Sequence, residues 1–370
     1  MRYFTIFLFL ALYCSCKKAD LKPVELTPFD HTLIVVMEAN NNLKPFALDN
    51  INEMELAAQH MKNAAVVVYL RSQDQESVLL KIKYDPNRKV IASDTLKKYQ
   101  VINSSPEQIK TIIADAQEFC PAASYGLILW SHATSWAPPV SKGVQLFSFG
   151  EDQGKQMDIM ELSRAIPAGF HYLIFDACHM ASLEVLWEFK DKATYILASP
   201  TEVLATGFPY GQILPHLTNK NPDLKHVANQ YFEYYNALQG QRQSATISLI
   251  DTKELRQLSD LCAELYTTHQ SLGIPTRAQV QRLDYTDDFP VPSFDFVHYL
   301  ETNFPESSLV SIKNQLEKIV LYKKATAYFL GNPIVSFSGL SCYIPDQHDL
   351  YLDYYRTLNW YHDSKLNVLF

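Results

Sequence analysis

The chain has 370 residues, 47% of them hydrophobic and 19% charged, with a formal net charge of -8. Such a balance suits a globular protein with a real core, organised as one large or two ordinary domains. There is no basic excess and no zinc-finger or helix-turn-helix spacing, so nucleic acid is not an expected partner.

The first residues read as a targeting segment. Arg2 gives a short positive start, and the apolar stretch from Tyr3 to Tyr13 is too short to span a bilayer as a stable helix. Leu12-Tyr13-Cys14-Ser15-Cys16 is similar to a bacterial lipoprotein cleavage site. Small Ser15 favours a cut before Cys16, which then carries the lipid. Residues 1–16 are thus the expected signal peptide and 17–30 a polar tether. The expected location is the cell envelope, with the membrane reached through the anchor.

Residues 31–38 are a β-branched run and the first expected strand, broken by Asn40-Asn41-Asn42. Helical spacing follows over 43–62 and a second strand over 64–70. Residues 78–84 alternate like a more exposed strand that Asp85-Pro86-Asn87 turns back toward 89–92. Residues 106–119 read as a helix with Ser105 as N-cap, and 125–131 as the third core strand. Residues 133–158, rich in Pro, Gly and Ser, form a long loop of the kind that is functional or mobile. A short helix is expected over 159–166, a strand over 171–175, a helix over 182–189 and a strand over 195–199. Helices over 226–238, 253–272 and 307–322 follow. A strand over 244–250 separates the first two, and a last strand, interrupted by Gly339, is expected over 334–344. The aromatic run 351–361 suits a docking helix. Alternation of strand and helix predicts an α/β fold with a mainly parallel central sheet and helices on both faces. No linker is evident after residue 30, so 31–370 is expected to be one domain with a carboxyl-terminal extension.

Two apolar runs end abruptly in a reactive side chain: Leu127-Ile128-Leu129-Trp130-Ser131-His132 and Leu173-Ile174-Phe175-Asp176-Ala177-Cys178. The carboxyl ends of parallel strands are where ligands bind in open α/β sheets. A thiol beside an imidazole is a nucleophile beside a base, so Cys178 and His132 are the expected catalytic pair. No Cys-x-x-Cys occurs, which argues against structural zinc. Cys120, Cys262 and Cys342 suit small buried apolar positions.

The segments Trp130-Ser131-His132-Ala133 and Phe175-Asp176-Ala177-Cys178-His179-Met180-Ala181 resemble the clostripain family of cysteine peptidases. Ala198-Ser199-Pro200-Thr201-Glu202, Gly207-Phe208-Pro209-Tyr210, Asn41-Asn42-Leu43 and Ser338-Gly339-Leu340-Ser341-Cys342-Tyr343 are similar to further family segments, so the resemblance spans about residues 31–345. It implies a caspase-like fold and endopeptidase action on extended peptides through a Cys-His dyad. It also implies an oxyanion site from the backbone N–H groups of Cys178 and Ala133. The family prefers Arg or Lys before the scissile bond, and Asp176 matches one acid of that pocket; capping its own turn is the alternative role for this Asp. Thr206 stands where a second pocket carboxylate is usual, and a neutral hydroxyl cannot pair with Arg as a carboxylate does. Weakened basic preference is therefore expected. Ala133 replaces a family Gly, costing roughly 1 kcal/mol if that position needs positive φ. Lys142 and Lys155 are the basic candidates for zymogen cleavage, or simply solvated loop residues. No cofactor or metal is expected; calcium enters only through the resemblance, since no EF-hand loop is present. The competing functions are a catalytically inactive surface lipoprotein that binds peptides or glycans, and a thiol acyltransferase.

Overall fold

Nine runs form the central sheet: β1 (His31–Glu38), β2 (Ala64–Arg71), β3 (Gln75–Lys81), β4 (Asp94–Val101), β5 (Tyr125–Trp130), β6 (Phe170–Asp176), β7 (Ala193–Ala198), β8 (Thr246–Asp251) and β9 (Val320–Ala325). This computed structural model describes residues 28–370 apart from 102, 138–139, 142–143, 146–147, 153–154 and 287–290. The signal segment, Cys14, Cys16 and most of the tether lie outside the described residues, as does Lys142.

The sheet order is β9-β8-β7-β6-β5-β1-β2-β3-β4. The centre, β2-β1-β5-β6-β7, is parallel throughout; β3, β4, β8 and β9 add antiparallel flanks. Every residue of β1 is buried, as expected of a strand covered on both faces. Alternate side chains feed two cores. Leu33, Val35, Ile128 and Ile174 pack under α1 (Lys44–Ala57), α5 (Tyr210–Leu217) and α6 (Leu224–Asn236). Ile34, Val36, Leu127, Leu129 and Phe175 pack against the opposite helices, which include α2 (Pro106–Phe119), α3 (Ile159–Ala165), α4 (Leu183–Phe189), α7 (Leu255–Thr268), α8 (Phe296–Asn303) and α9 (Glu306–Ile319). The predicted α/β class and mainly parallel centre are therefore present. Among the described residues no helix is long and apolar enough to cross a membrane.

Several boundaries differ from expectation for identifiable reasons. The partner of β3 is β4, not 89–92, because Glu55 accepts bonds from the Ala92 and Ser93 N–H groups and the Ser93 hydroxyl, pinning that stretch to α1. The helix expected over 307–322 stops at Ile319. Its last residues begin β9, a half-exposed edge strand carrying Lys323 and Lys324, the kind of charge that protects a sheet edge. Of the last expected strand only Ser341–Cys342 joins a ladder, with Phe294–Asp295; Gly339, at φ +89°, turns the chain before it. The aromatic run forms two short helices, Leu352–Tyr355 and Asn359–Asp363, and Tyr354 and Tyr355 pack on Trp136. Within 133–158 a small antiparallel hairpin, Phe149–Asp152 with Lys155–Met157, replaces the featureless loop.

Candidate active site

Register brings the two reactive residues to one edge. Asp176, the last residue of β6, is paired with Trp130, the last of β5. His132 and Cys178 each lie two positions beyond that pair. Ser131 ties the His132 side to its neighbours: its hydroxyl donates to Glu38 O at 2.7 Å and its N–H to Asp176 O at 3.3 Å. Ser135 and Ser182 hydroxyls meet at 2.7 Å, joining the chain after His132 to the chain after Cys178.

His132 is about one-third exposed. Its Nε2 is 2.6 Å from Asn42 Oδ1. An amide oxygen only accepts, so Nε2 carries the proton and the neutral ring keeps its lone pair on Nδ1. Glu151 Oε2 lies 3.9 Å from the same nitrogen. Burial lowers the imidazole pKa, and the Glu151 charge opposes that.

Cys178 sits in a tight turn between β6 and α4. His179 takes φ +60° there, its N–H donating to Thr201 O at 2.8 Å, while Ala181 N–H donates to Ser199 O at 3.0 Å. Ser182 then caps α4 through Val185 N–H. The thiol faces Val203, whose N–H donates to Sγ at 3.3 Å. Burial pushes the thiol up to about 12; the Val203 N–H opposes this, and the Glu202 and Asp176 charges reinforce it. No hydrogen bond joins Cys178 to His132 among the described residues. Both border one cavity of about 640 Å³, with Ala133, Glu151, Asp176 and Glu202 also on its wall. No Lys or Arg is among its described lining residues. His179 also borders it but is buried, with its ring against Pro200 O and Glu202.

The backbone around Ala133 leaves a donor unused. The flanking bonds run from Thr134 N–H to Ser148 O and from Gly150 N–H to His132 O. In that antiparallel pattern the Ala133 N–H is not part of the ladder. Neither it nor the Cys178 N–H has an acceptor among the described residues. Ala133 is not among the positive-φ residues, so its replacement of Gly carries no left-handed strain.

Asp176 is buried, and Oδ2 accepts from Phe208 N–H at 3.1 Å and Tyr210 OH at 2.9 Å. It therefore braces the 204–210 loop rather than its own turn. Burial raises its carboxyl to about 7, against both hydrogen bonds. Oδ1 accepts no bond among the described residues. Thr206 departs from expectation. It does not border the main cavity but a separate depression of about 140 Å³ with Asn50 and Glu53. Its carbonyl accepts from Asn50 Nδ2 and its hydroxyl meets Tyr235 OH at 2.8 Å, which turns it aside. Cys120, Cys262 and Cys342 are buried and free, as anticipated. Asn42, Glu151 and Val203 were not anticipated. The Asn run reads locally as a strand breaker, and nothing near Glu151 in the chain signals a histidine partner.

A family model described as the clostripain family matches residues 35–368. A secreted C11 cysteine protease from Bacteroides thetaiotaomicron, iotapain, is 26% identical over 92% of this chain and 100% of its own, with a TM-score of 0.79. An inactive zymogen C11 protease from Parabacteroides distasonis is 28% identical over 92% of this chain and 99% of its own, with a TM-score of 0.77. A clostripain from Bacteroides thetaiotaomicron, in complex with the peptide inhibitor BTN-VLTK-AOMK, is 28% identical over 58% of this chain and 97% of its own, with a TM-score of 0.51. No curated protein sequence matches.

Proposed function

This chain belongs to the clostripain family of cysteine peptidases, and on that footing we propose that it cleaves extended peptides with Cys178 as nucleophile and His132 as general base. The observation that carries the reading is the pairing of Trp130 with Asp176, which sends both residues to the wall of one cavity.

The resting pair is a neutral thiol and a neutral imidazole, since burial disfavours both charged forms. Proton transfer therefore accompanies attack rather than preceding it. The thiol turns from Val203, Nδ1 of His132 takes its proton, and Sγ adds to the scissile carbonyl carbon. The N–H groups of Cys178 and Ala133 receive the oxyanion. The imidazolium returns the proton to the leaving amine as the C–N bond breaks, and water then hydrolyses the thioester.

Asp176 and Glu202 make the cavity wall acidic, which favours a cationic side chain before the cut. Thr206 adds no carboxylate beside Asp176, so the basic preference is weaker than where an acid stands at that position. A peptide inhibitor bound to one relative agrees with an extended substrate. The test uses peptide warheads ending in Lys, Arg or an apolar residue, together with a positional substrate library. Expected are stoichiometric labelling that disappears in Cys178→Ala, slows at least 100-fold in His132→Ala, and tolerates non-basic residues. Labelling that persists without Cys178 overturns the catalytic assignment. A strict Arg-only profile overturns the specificity.

A further inference from the structure

We propose that Glu151 is a positioning residue for His132, holding the imidazolium that forms when the thiol proton is transferred. The inference rests on His132 being the base of the peptidase described above.

The geometry gives one ring nitrogen two partners of different character. Asn42 Oδ1, at 2.6 Å from Nε2, is neutral and fixes the tautomer. Glu151 Oε2, at 3.9 Å, adds little while the ring is neutral and attracts it once the ring is charged. Of the titratable groups around the cavity, Asp176, Cys178, His179 and Glu202 belong to the β6 and β7 side. Among the described residues only Glu151 makes an ion-pair contact with His132.

Glu151 is also held in place from both sides. Gly150 N–H donates to His132 O at 3.1 Å, which locks the hairpin to the histidine's own backbone. Asn41 Nδ2 donates to Glu151 O at 2.8 Å. The next residue, Asp152, is buried and takes Arg71 at 3.2 Å, Asn40 Nδ2 at 2.7 Å and Ser104 N–H at 2.9 Å. Three polar anchors on one short strand fix the backbone that carries the carboxylate. Nothing in the reaction needs Glu151 to accept a proton: the thiol proton passes to Nδ1 and then to the amine.

Glu151→Gln keeps the shape and removes the charge. Expected is a fall in kcat of about 10- to 100-fold with KM changed less than threefold, less than the roughly 10²–10⁴-fold that general acid–base catalysis supplies as a whole. The acid limb of kcat/KM should also move to lower pH, because the charge that favoured the imidazolium is gone. Glu151→Asp should recover part of both. A second readout does not depend on turnover: in Cys178→Ala, the imidazole of His132 followed by NMR should titrate at lower pH when Glu151 is Gln. An unmoved titration overturns the proposal even if the chain proves inactive, and that outcome is separate from failure of the peptidase reading, which the warhead experiment reports. A rise in KM confined to Lys and Arg substrates, with the pH limb unmoved, also overturns it and assigns Glu151 to substrate binding instead.

Discussion

The two arms that carry the reactive side chains are built differently. The Cys178 arm is a turn of a few residues between β6 and α4, held by backbone bonds to Thr201 and Ser199 of the chain after the neighbouring strand. The His132 arm is an excursion of more than twenty residues before α3, held by side chains: Trp136 among Tyr343, Tyr354 and Tyr355, and Asp152 on Arg71 and Asn40. A short turn inherits its position from the sheet. A long excursion has to be fastened down residue by residue, and each fastening is a separate point of failure.

That contrast can be broken most severely at Arg71. It is fully buried against Asp152, beside the buried Glu38. Arg71→Met leaves buried carboxyls without their cation and should cost about 3–5 kcal/mol, read as a lowered urea midpoint. Hydrogen exchange should quicken in 148–157 while the Cys178 turn keeps its protection; equal loosening of both arms would refute the contrast. Gly207 probes the other side. It has φ +66°, and a Cβ there would lie 2.7 Å from Asp176 Oδ2. Gly207→Ala should cost about 1–2 kcal/mol and raise KM for basic peptides, with Cys178 labelling by a neutral warhead retained. The smallest effect is expected at the tie between the arms. Ser135→Ala removes the hydroxyl that meets Ser182 and should cost about 1 kcal/mol, with kcat falling more than stability would explain. A kcat equal to wild type would show that the arms hold their spacing without that bond.

The same contrast explains what could be read from the sequence. The strands β1, β5 and β6 are dense apolar runs, and their ends mark His132 and Cys178 because the chemistry stands next to the pattern. The fold class followed from the alternation of such runs with helical spacing. Asn42 and Glu151 were illegible for the opposite reason: their roles arise from contacts across 90 and 19 positions of chain, in segments with no periodicity of their own. Thr206 was placed by likeness to a motif, and only the bonds from Asn50 and Tyr235 reveal that it turns out of the cavity. The helix α5 was not among the expected elements; Pro209 stands at its N-cap and Pro215 inside it, and an internal Pro is poor helical signal.

The parked thiol bears on how this chain meets oxidants. Burial pushes the thiol pKa up to about 12, so the thiolate form is scarce at neutral pH. Peroxide and small alkylating agents, which attack that anion, should find this sulfur nearly inert. A reagent that occupies the cleft and draws the proton away should still find it reactive, so on the proposed mechanism the nucleophile stays in reserve until something shaped like a polypeptide arrives.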